Sequence, residues 1–473
     1  MRRIFFLLFS ILTILVMGTF SRFSHATSIP TTQFLPAVMH KWPPPAGIWG
    51  AEITRNGATP QVLAYAQDAH IQRMRYNNMR WDRIEPTQGT YDETYLAQID
   101  ADLANLAAVP GMQTTVVLFG TPLWAQAQPY SYCGPIRDES LDEFASFVTD
   151  MVNRYKNAPY FINSWEIWNE PDAPTNVDPS SQYVEWGCFG DFTKTEPYFG
   201  AERYVKVLKT AYTAIKAADP DAEVVLGGLL LGCNPIHNLP PNDPWCPEAG
   251  TFFEGILAYG GGQYFDTLAY HSYTAWNGIS TDWDLNHAVW QSFGGATLGK
   301  LAFLQDIMST YGISGKRIIM NEGALLCNEA QTNCLTEERE QAQAVYAVRL
   351  YTRAWAHDID AVYWYTLNGA GWRYGGLLPG NTPTLAYRAI QQMSQQLYGG
   401  TFIADISSPP VEGYRFKAAN GALVDIVWRT EEGTPVTWVL PPNTTNVLDM
   451  FGEPLPYTGN TIDIAFAPLY IIH

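Results

Sequence analysis

From residue 47 to about 397 the chain repeats one unit: a short β-branched or aromatic run, then a longer stretch with apolar residues at helical spacing. The runs predict strands at 47–53, 73–80, 113–119, 161–168, 223–230, 265–270, 316–321 and 361–366. Between them, helices are expected at 94–108, 141–155, 198–218, 297–311 and 337–355, and 385–397 follows the last strand. Eight such alternations in about 350 residues predict an α/β fold of the (β/α)8 kind, a TIM barrel, rather than an open doubly wound sheet. No GxGxxG follows the first strand, which argues against a dinucleotide fold. Gly227-Gly228 and Gly260-Gly261-Gly262 read as tight turns.

The pattern changes at residue 399. Short alternating runs at 400–406, 412–418, 423–430, 434–440, 446–450 and 461–472, separated by Gly, Pro and Asn turns, predict a small antiparallel β-sandwich over 399–473. A sandwich this short is expected to lean on the barrel (47–398) as a buttress. Ahead of the barrel, 27–46 is a Pro-rich lead-in. Residues 1–26 read as a signal peptide: Arg2 and Arg3, an uncharged run from Ile4 to Phe20, then Ser24-His25-Ala26 as the cleavage site. An uncleaved N-terminal membrane anchor is the alternative. The expected location is therefore secreted or extracellular.

Export gives the six cysteines a meaning, since an even count in an oxidising compartment reads as three disulfides. Spacing favours Cys327–Cys334 and Cys233–Cys246 as local clips, leaving Cys133–Cys188. All six fall after expected strands, in βα loops on the face where barrels carry active sites. No CxxC or HxxxH spacing supports a metal site. The 28 Lys+Arg against 46 Asp+Glu, a formal net charge of −18, argue against a nucleic-acid or anionic-membrane partner. Aromatic rings (16 Trp, 27 Tyr) exceed what the core needs and suit a cleft for a flat-faced, partly apolar ligand such as a sugar.

Two carboxylates stand out. In Trp165-Glu166-Ile167-Trp168-Asn169-Glu170-Pro171, Glu170 falls just past the end of the fourth strand; in Ile318-Ile319-Met320-Asn321-Glu322-Gly323, Glu322 closes the seventh. Strands four and seven face each other across a closed barrel, so these groups can flank one bond. Glycosidic cleavage needs that arrangement, with one carboxyl donating a proton and another attacking the anomeric carbon.

These two motifs resemble the acid/base and nucleophile strands of the large clan of retaining glycosidases with (β/α)8 barrels, clan A. Within it the chain is most similar to family 39-like enzymes, the relatives of β-xylosidases, iduronidases and bacterial exopolysaccharide endoglycosidases. The resemblance implies Glu170 as acid/base, Glu322 as nucleophile, and Asn169 as donor to the sugar 2-hydroxyl. It implies Arg75, in Met74-Arg75-Tyr76-Asn77, as the arginine that hydrogen-bonds the nucleophile, with Arg80 as the competing assignment. His271 and Tyr273 match positions that touch the nucleophile, and Trp364, near the end of strand eight, matches a ring placed against the sugar. Trp49, Trp81 and Trp124 also lie near strand ends. The loops 176–196 and 232–250 depart from the family pattern and are expected to carry substrate identity.

The expected function is a secreted retaining O-glycoside hydrolase, endo-acting on a poly- or oligosaccharide, using double displacement and no cofactor. Burial and repulsion from Glu322 are expected to raise the pKa of Glu170. The alternatives are a non-catalytic carbohydrate-binding cell-surface protein on the same scaffold and a transglycosylase. No GxSxG elbow supports a serine hydrolase.

Overall fold

The computed structural model describes residues 47–127, 134–173, 189–190, 197–233, 248–328 and 334–473. Eight parallel strands close into a barrel in chain order: β1 Trp49–Ile53, β2 Arg73–Arg80, β3 Gln113–Phe119, β4 Ser164–Asn169, β5 Glu223–Gly228, β6 Thr267–Trp276, β7 Arg317–Cys327 and β8 Val362–Trp364. Helices cover it outside: α1 Pro60–Asp68, α2 Trp81–Ile84, α3 Glu93–Ala107, α4 Leu141–Tyr155, α5 Ala201–Ala218, α6 Phe252–Ala258, α7 Ala296–Thr310, α8 Glu337–Ala356 and α9 Leu385–Leu397. The expected TIM barrel is the observed fold. The pattern reading omits α1, α2 and α6, which at 9, 4 and 7 residues are too short for a 3.6-residue period to show.

Local chemistry accounts for the helix starts. The Thr59, Asp92, Thr336 and Thr384 side chains each accept from a first-turn backbone N–H, of α1, α3, α8 and α9 respectively. In α4, Phe144, Phe147, Val148, Met151, Val152 and Tyr155 recur at helical spacing and are all buried.

Two strands run further than their sequence suggests. β6 and β7 continue past the barrel rim as a ladder of their own, paired as far as Trp276 with Cys327. His271, Tyr273 and Glu322 therefore lie inside strands rather than at strand ends, and Cys327 ends a strand rather than lying in a loop. Each strand supplies the other's hydrogen bonds beyond the rim, so pairing need not stop there. The register slips between Tyr270 and His271, and again between Met320 and Gly323. Slips of this kind re-aim side chains locally.

Val225, Ala269, Ile319, Ala361 and Tyr363 form an apolar plug in the barrel. Toward the C-terminal ends of the strands this gives way to buried polar groups: Glu52, Arg75, Glu166, His271, Asn321 and Glu322.

After the barrel come β9 Thr401–Asp405, β10 Val411–Lys417, β11 Leu423–Arg429, β12 Val436–Val439, β13 Asn446–Asp449, β14 Thr461–Ile464 and β15 Leu469–Ile472. They form a five-stranded sheet, β13-β15-β11-β10-β9, and a two-stranded one, β12-β14. The expected run 461–472 is two strands in different sheets, broken at Pro468, which has no N–H to donate. Strand alternation splits the side chains between two cores. Tyr414, Phe416, Trp428 and Tyr470 join the barrel's core, with Phe416 5.1 Å from the Trp355 ring of α8. Val411, Val427, Leu469 and Ile471 join Leu440, Val447 and Ile464 in the second.

Buried ion pairs reinforce this junction. Arg353 of α8 donates to Asp282 (2.5 Å), Asp284 (3.3 Å) and, in the five-stranded sheet, Glu412 (2.6 Å). Arg349 pairs with Asp282 at 3.0 Å and donates to the carbonyls of Arg429 and Phe466.

Cys327 and Cys334 are bonded, with Cα atoms 5.9 Å apart. Cys233 is also disulfide-bonded; its expected partner Cys246, and both Cys133 and Cys188, lie outside the described residues. So do the expected signal peptide and lead-in, and most of the loops 176–196 and 232–250. Among the described residues no helix is long and apolar enough to cross a membrane.

Candidate active site

Arg75 is the hub of the buried polar layer. β2 points it into the barrel, where it is fully buried. Nε and Nη2 hold the two oxygens of Glu166 at 2.8 Å each, Nη2 also reaches Asn169 Oδ1 at 2.7 Å, and Nη1 donates to both Glu52 and Glu322. Glu166 is held further by Asn321 Nδ2 (2.8 Å) and the Gly228 N–H (3.0 Å). The structure thus puts Arg75 against Glu322; Arg80 pairs instead with Asp82 at 2.7 Å. With its Oδ1 fixed on Arg75, Asn169 has a set amide orientation.

Glu170 and Glu322 come together as the strand order implies. The end of β4 bends sharply: Trp168 and Glu170 have φ of 75° and 47°, uncommon for residues with a side chain. The Glu170 N–H is tied across to the Gly228 carbonyl at 3.0 Å. Glu322 receives Arg75 on one oxygen and the Tyr273 hydroxyl on the other. His271 Nδ1 lies between the two carboxyls, 2.9 Å from Glu170 Oε1 and 3.4 Å from Glu322 Oε2. Its other nitrogen, Nε2, is buried and has no hydrogen-bond partner among the described residues. Gly228 makes room for it: a Cβ there would sit 2.2 Å from His271 Nε2 and 2.6 Å from Asn321 Oδ1.

Burial raises the Glu170 pKa to about 7, against the downward pull of the Arg75 and Lys300 charges. The expected repulsion from Glu322 is not among the causes. Burial also depresses His271 to about 4, although Glu322 pulls it upward, so the imidazole is neutral near pH 7. Burial pushes Glu52 well above the carboxylate range, Arg75 opposing and Glu322 assisting.

Sequence reading missed Glu52, Glu166, Asn321 and Lys300 as parts of the site. A signal existed for the first two: each is the lone charge in an otherwise uncharged β-run, Trp-Gly-Ala-Glu-Ile and Ser-Trp-Glu-Ile-Trp. Lys300 is buried on α7, with Nζ 2.8 Å from the Leu230 carbonyl and 2.9 Å from that of His271. Nothing in the helix pattern distinguishes it from a surface lysine.

Trp364 is not at the mouth. It is fully buried, with its indole N–H on the Gly375 carbonyl (2.7 Å) and its ring against Tyr346 of α8. Alternation along β8 turns Tyr363 inward and Trp364 toward the helices. Trp372, 38% exposed in the loop after β8, lies edge-on at 5.6 Å to Tyr273, the residue whose hydroxyl donates to Glu322. Trp49 and Trp81 are buried, and Trp124 packs edge-on to Trp81.

The donor atoms of Glu170, His271 and Glu322 all lie within 4.8 Å of one another, the grouping among the described residues best placed to hold a metal ion. The oxygens of Glu322 already accept from Arg75 and Tyr273, and the fixed charge of Arg75 opposes a second cation there.

Solved structures share this architecture at low identity. A family 39 glycoside hydrolase from the gut symbiont Bacteroides cellulosilyticus WH2 is 18% identical with a TM-score of 0.65, over 91% of this chain and 81% of that one. A conserved exported protein from Bacteroides fragilis is 12% identical (TM-score 0.60; 91% and 98% covered). A family 39 β-xylosidase from Caulobacter crescentus is 14% identical (TM-score 0.55; 91% and 97%). No curated protein matches the chain in sequence. The family model for cellulase, glycosyl hydrolase family 5, matches residues 32–366, well over half of the chain. With the clan A barrel and its paired carboxylates in place, the chain belongs to the cellulase family, glycosyl hydrolase family 5, and is a glycoside hydrolase acting on carbohydrate.

Proposed function

We propose that this chain is a secreted, retaining O-glycosidase that cuts within a polysaccharide by double displacement. The observation that carries the reading is the separation of its two carboxyls. Glu170 and Glu322 present oxygens within 4.8 Å of each other, which supports the ~5–5.5 Å carboxyl spacing of retaining enzymes over the ~6.5–9.5 Å of an inverting pair. The export-type N-terminus supports secretion, and the family's name, cellulase, supports a polymeric substrate.

In the first step Glu322, oriented by Arg75 and Tyr273, attacks the anomeric carbon as Glu170 delivers its proton to the departing oxygen. Asn169, fixed by Arg75, faces the sugar beside them. The covalent glycosyl ester on Glu322 is then released by water, whose proton returns to Glu170, and two inversions give net retention. Neutral His271 hydrogen-bonds Glu170 without adding a charge that would drive its proton off. A Glu322→Gly variant is expected to be inactive, and added azide should restore turnover of an activated aryl glycoside as the inverted glycosyl azide. Full activity in that variant, or in Glu170→Ala against an unactivated glycoside, would end the proposal.

A further inference from the structure

Beside the catalytic mouth lies a second concavity of about 660 Å³, lined by Thr54, Arg55, Asn78, Arg80, Arg83 and Tyr95 among others. It opens on the same face as Glu170 and Glu322, because its walls are the C-terminal ends of β1 and β2 and the segments that follow them. It is also close to the catalytic groups along the chain. Thr54 stands two residues beyond Glu52, and Asn78 three beyond Arg75, distances of roughly 7–10 Å along a strand. The two regions share a wall as well: the Thr54 N–H donates to Asn368 Oδ1 at 3.0 Å, and the Leu367 N–H to the Glu52 carbonyl at 2.8 Å, both from the loop after β8 that also carries Trp372.

The charge of this concavity is opposite to that of the protein. Three arginines converge in a chain of formal net charge −18. The two carboxylates nearby are already engaged: Asp82 holds Arg80 through two hydrogen bonds (2.7 and 3.0 Å), and Asp92 caps α3. Arg83, 59% exposed, shares Asp82 with Arg80 through an ion pair at 3.7 Å, while Arg55 lies over the Tyr95 ring at 5.4 Å, where it also interacts with the charge of the buried Asp102. With one Asp82 carboxylate shared between Arg80 and Arg83, the exposed Arg55 and Arg83 guanidinium groups line the concavity with more donors than the local carboxylates take up, with Tyr95 and the neutral Thr54 and Asn78 beside them. Planar donor forks match carboxylates, and sugar hydroxyls suit the neutral groups.

We propose that this concavity is a subsite for a carboxylate-bearing sugar, so that the polysaccharide cut at Glu170 and Glu322 is an acidic one, with a uronate one or two residues from the scissile bond. The assignment rests on the glycosidase reading above. Its test compares hydrolysis of alginate, polygalacturonate and glucuronoxylan with that of each polymer after carboxyl reduction, which keeps the linkages and removes the charge. The wild-type protein and the Arg55→Ala/Arg83→Ala double variant are assayed together. Both substituted side chains are exposed, and thermal denaturation checks that the variant folds. At least one acidic polymer is expected to be cut about tenfold faster than its reduced form at low substrate, with the preference collapsing toward unity in the double variant and weakening with salt. An Arg55→Lys/Arg83→Lys variant should retain part of it. Equal or faster cutting of the reduced polymers, or a preference unchanged in the double variant, overturns the assignment while leaving the glycosidase reading intact. Absence of turnover on every polymer and on aryl glycosides would instead count against that reading.

Discussion

Glu170 can act as a general acid only while it holds its proton, and burial sets how far up the pH scale that lasts. Its carboxyl is raised from an ordinary 4.5 to about 7. At an ordinary value, only about 0.3% of the enzyme would be protonated at pH 7; at 7, about half is, rising to about 90% at pH 6 and falling to about 9% at pH 8. The sign follows directly: the working form is the protonated one, so kcat/KM is present below the raised value and lost as pH rises through it, about tenfold per unit beyond pH 8. The assay is the pH profile of kcat/KM on a glycoside with a poor leaving group, which needs the acid. A dinitrophenyl glycoside, whose leaving group departs without a proton, should lose the alkaline limb. Lys300→Met removes one of the two charges that pull the pKa down, so its limb should move to higher pH, whereas a purely structural lysine would leave the limb in place. An alkaline limb centred near pH 4.5, or one that survives unchanged in Glu170→Gln, would refute the assignment of the limb to this burial.

Two further perturbations test what holds the site in place. Arg353→Met should lower stability by about 3–5 kcal/mol in thermal or urea denaturation, because the buried Asp284 would lose its cation, Asp282 would keep only Arg349, and the half-buried Glu412 would be unpaired; a loss under 1 kcal/mol would mean the ion cluster is not supporting the sheet–barrel junction. Gly228→Ala places a methyl 2.2 Å from His271 Nε2, so it should cost about 1–3 kcal/mol of stability and also lower kcat by displacing His271 from Glu170, with wild-type kcat as the refuting result.

The barrel was legible because its signal is repeated: eight strand–helix units each constrain the others, and a misplaced boundary in one does not change the closure. Glu170 and Glu322 were legible for a similar reason, since strands four and seven oppose each other whatever the barrel's detailed radius. Trp364 was not, because on a three-residue strand a single step of alternation decides between mouth and helix layer, and the slip between Met320 and Gly323 on the neighbouring strand unsettles that parity. Trp372 was out of reach altogether, as it lies in a loop without periodicity. Lys300 shows a different limit. An amphipathic pattern assigns lysine to the solvent face, and what overrides it here is a pair of backbone carbonyls from other elements, information that local sequence does not hold.

The polar layer explains why these particular residues have to be read together. Arg75 alone joins β1 through Glu52, β4 through Glu166 and Asn169, and β7 through Glu322, so one guanidinium both closes the inside of the barrel and orients the Glu322 carboxylate. An isolated cation so deeply buried would be costly, and so would several unpaired carboxylates; together they offset one another, with Glu52 pushed toward its neutral form so that the carboxylate load on Arg75 falls. Lysine in place of Arg75 would keep the charge yet lack the planar fork that reaches three strands at once. The placement of Glu322 is therefore carried by the same hydrogen bonds that fix strand packing, and the precision of this polar layer is inherited from the closure of the fold.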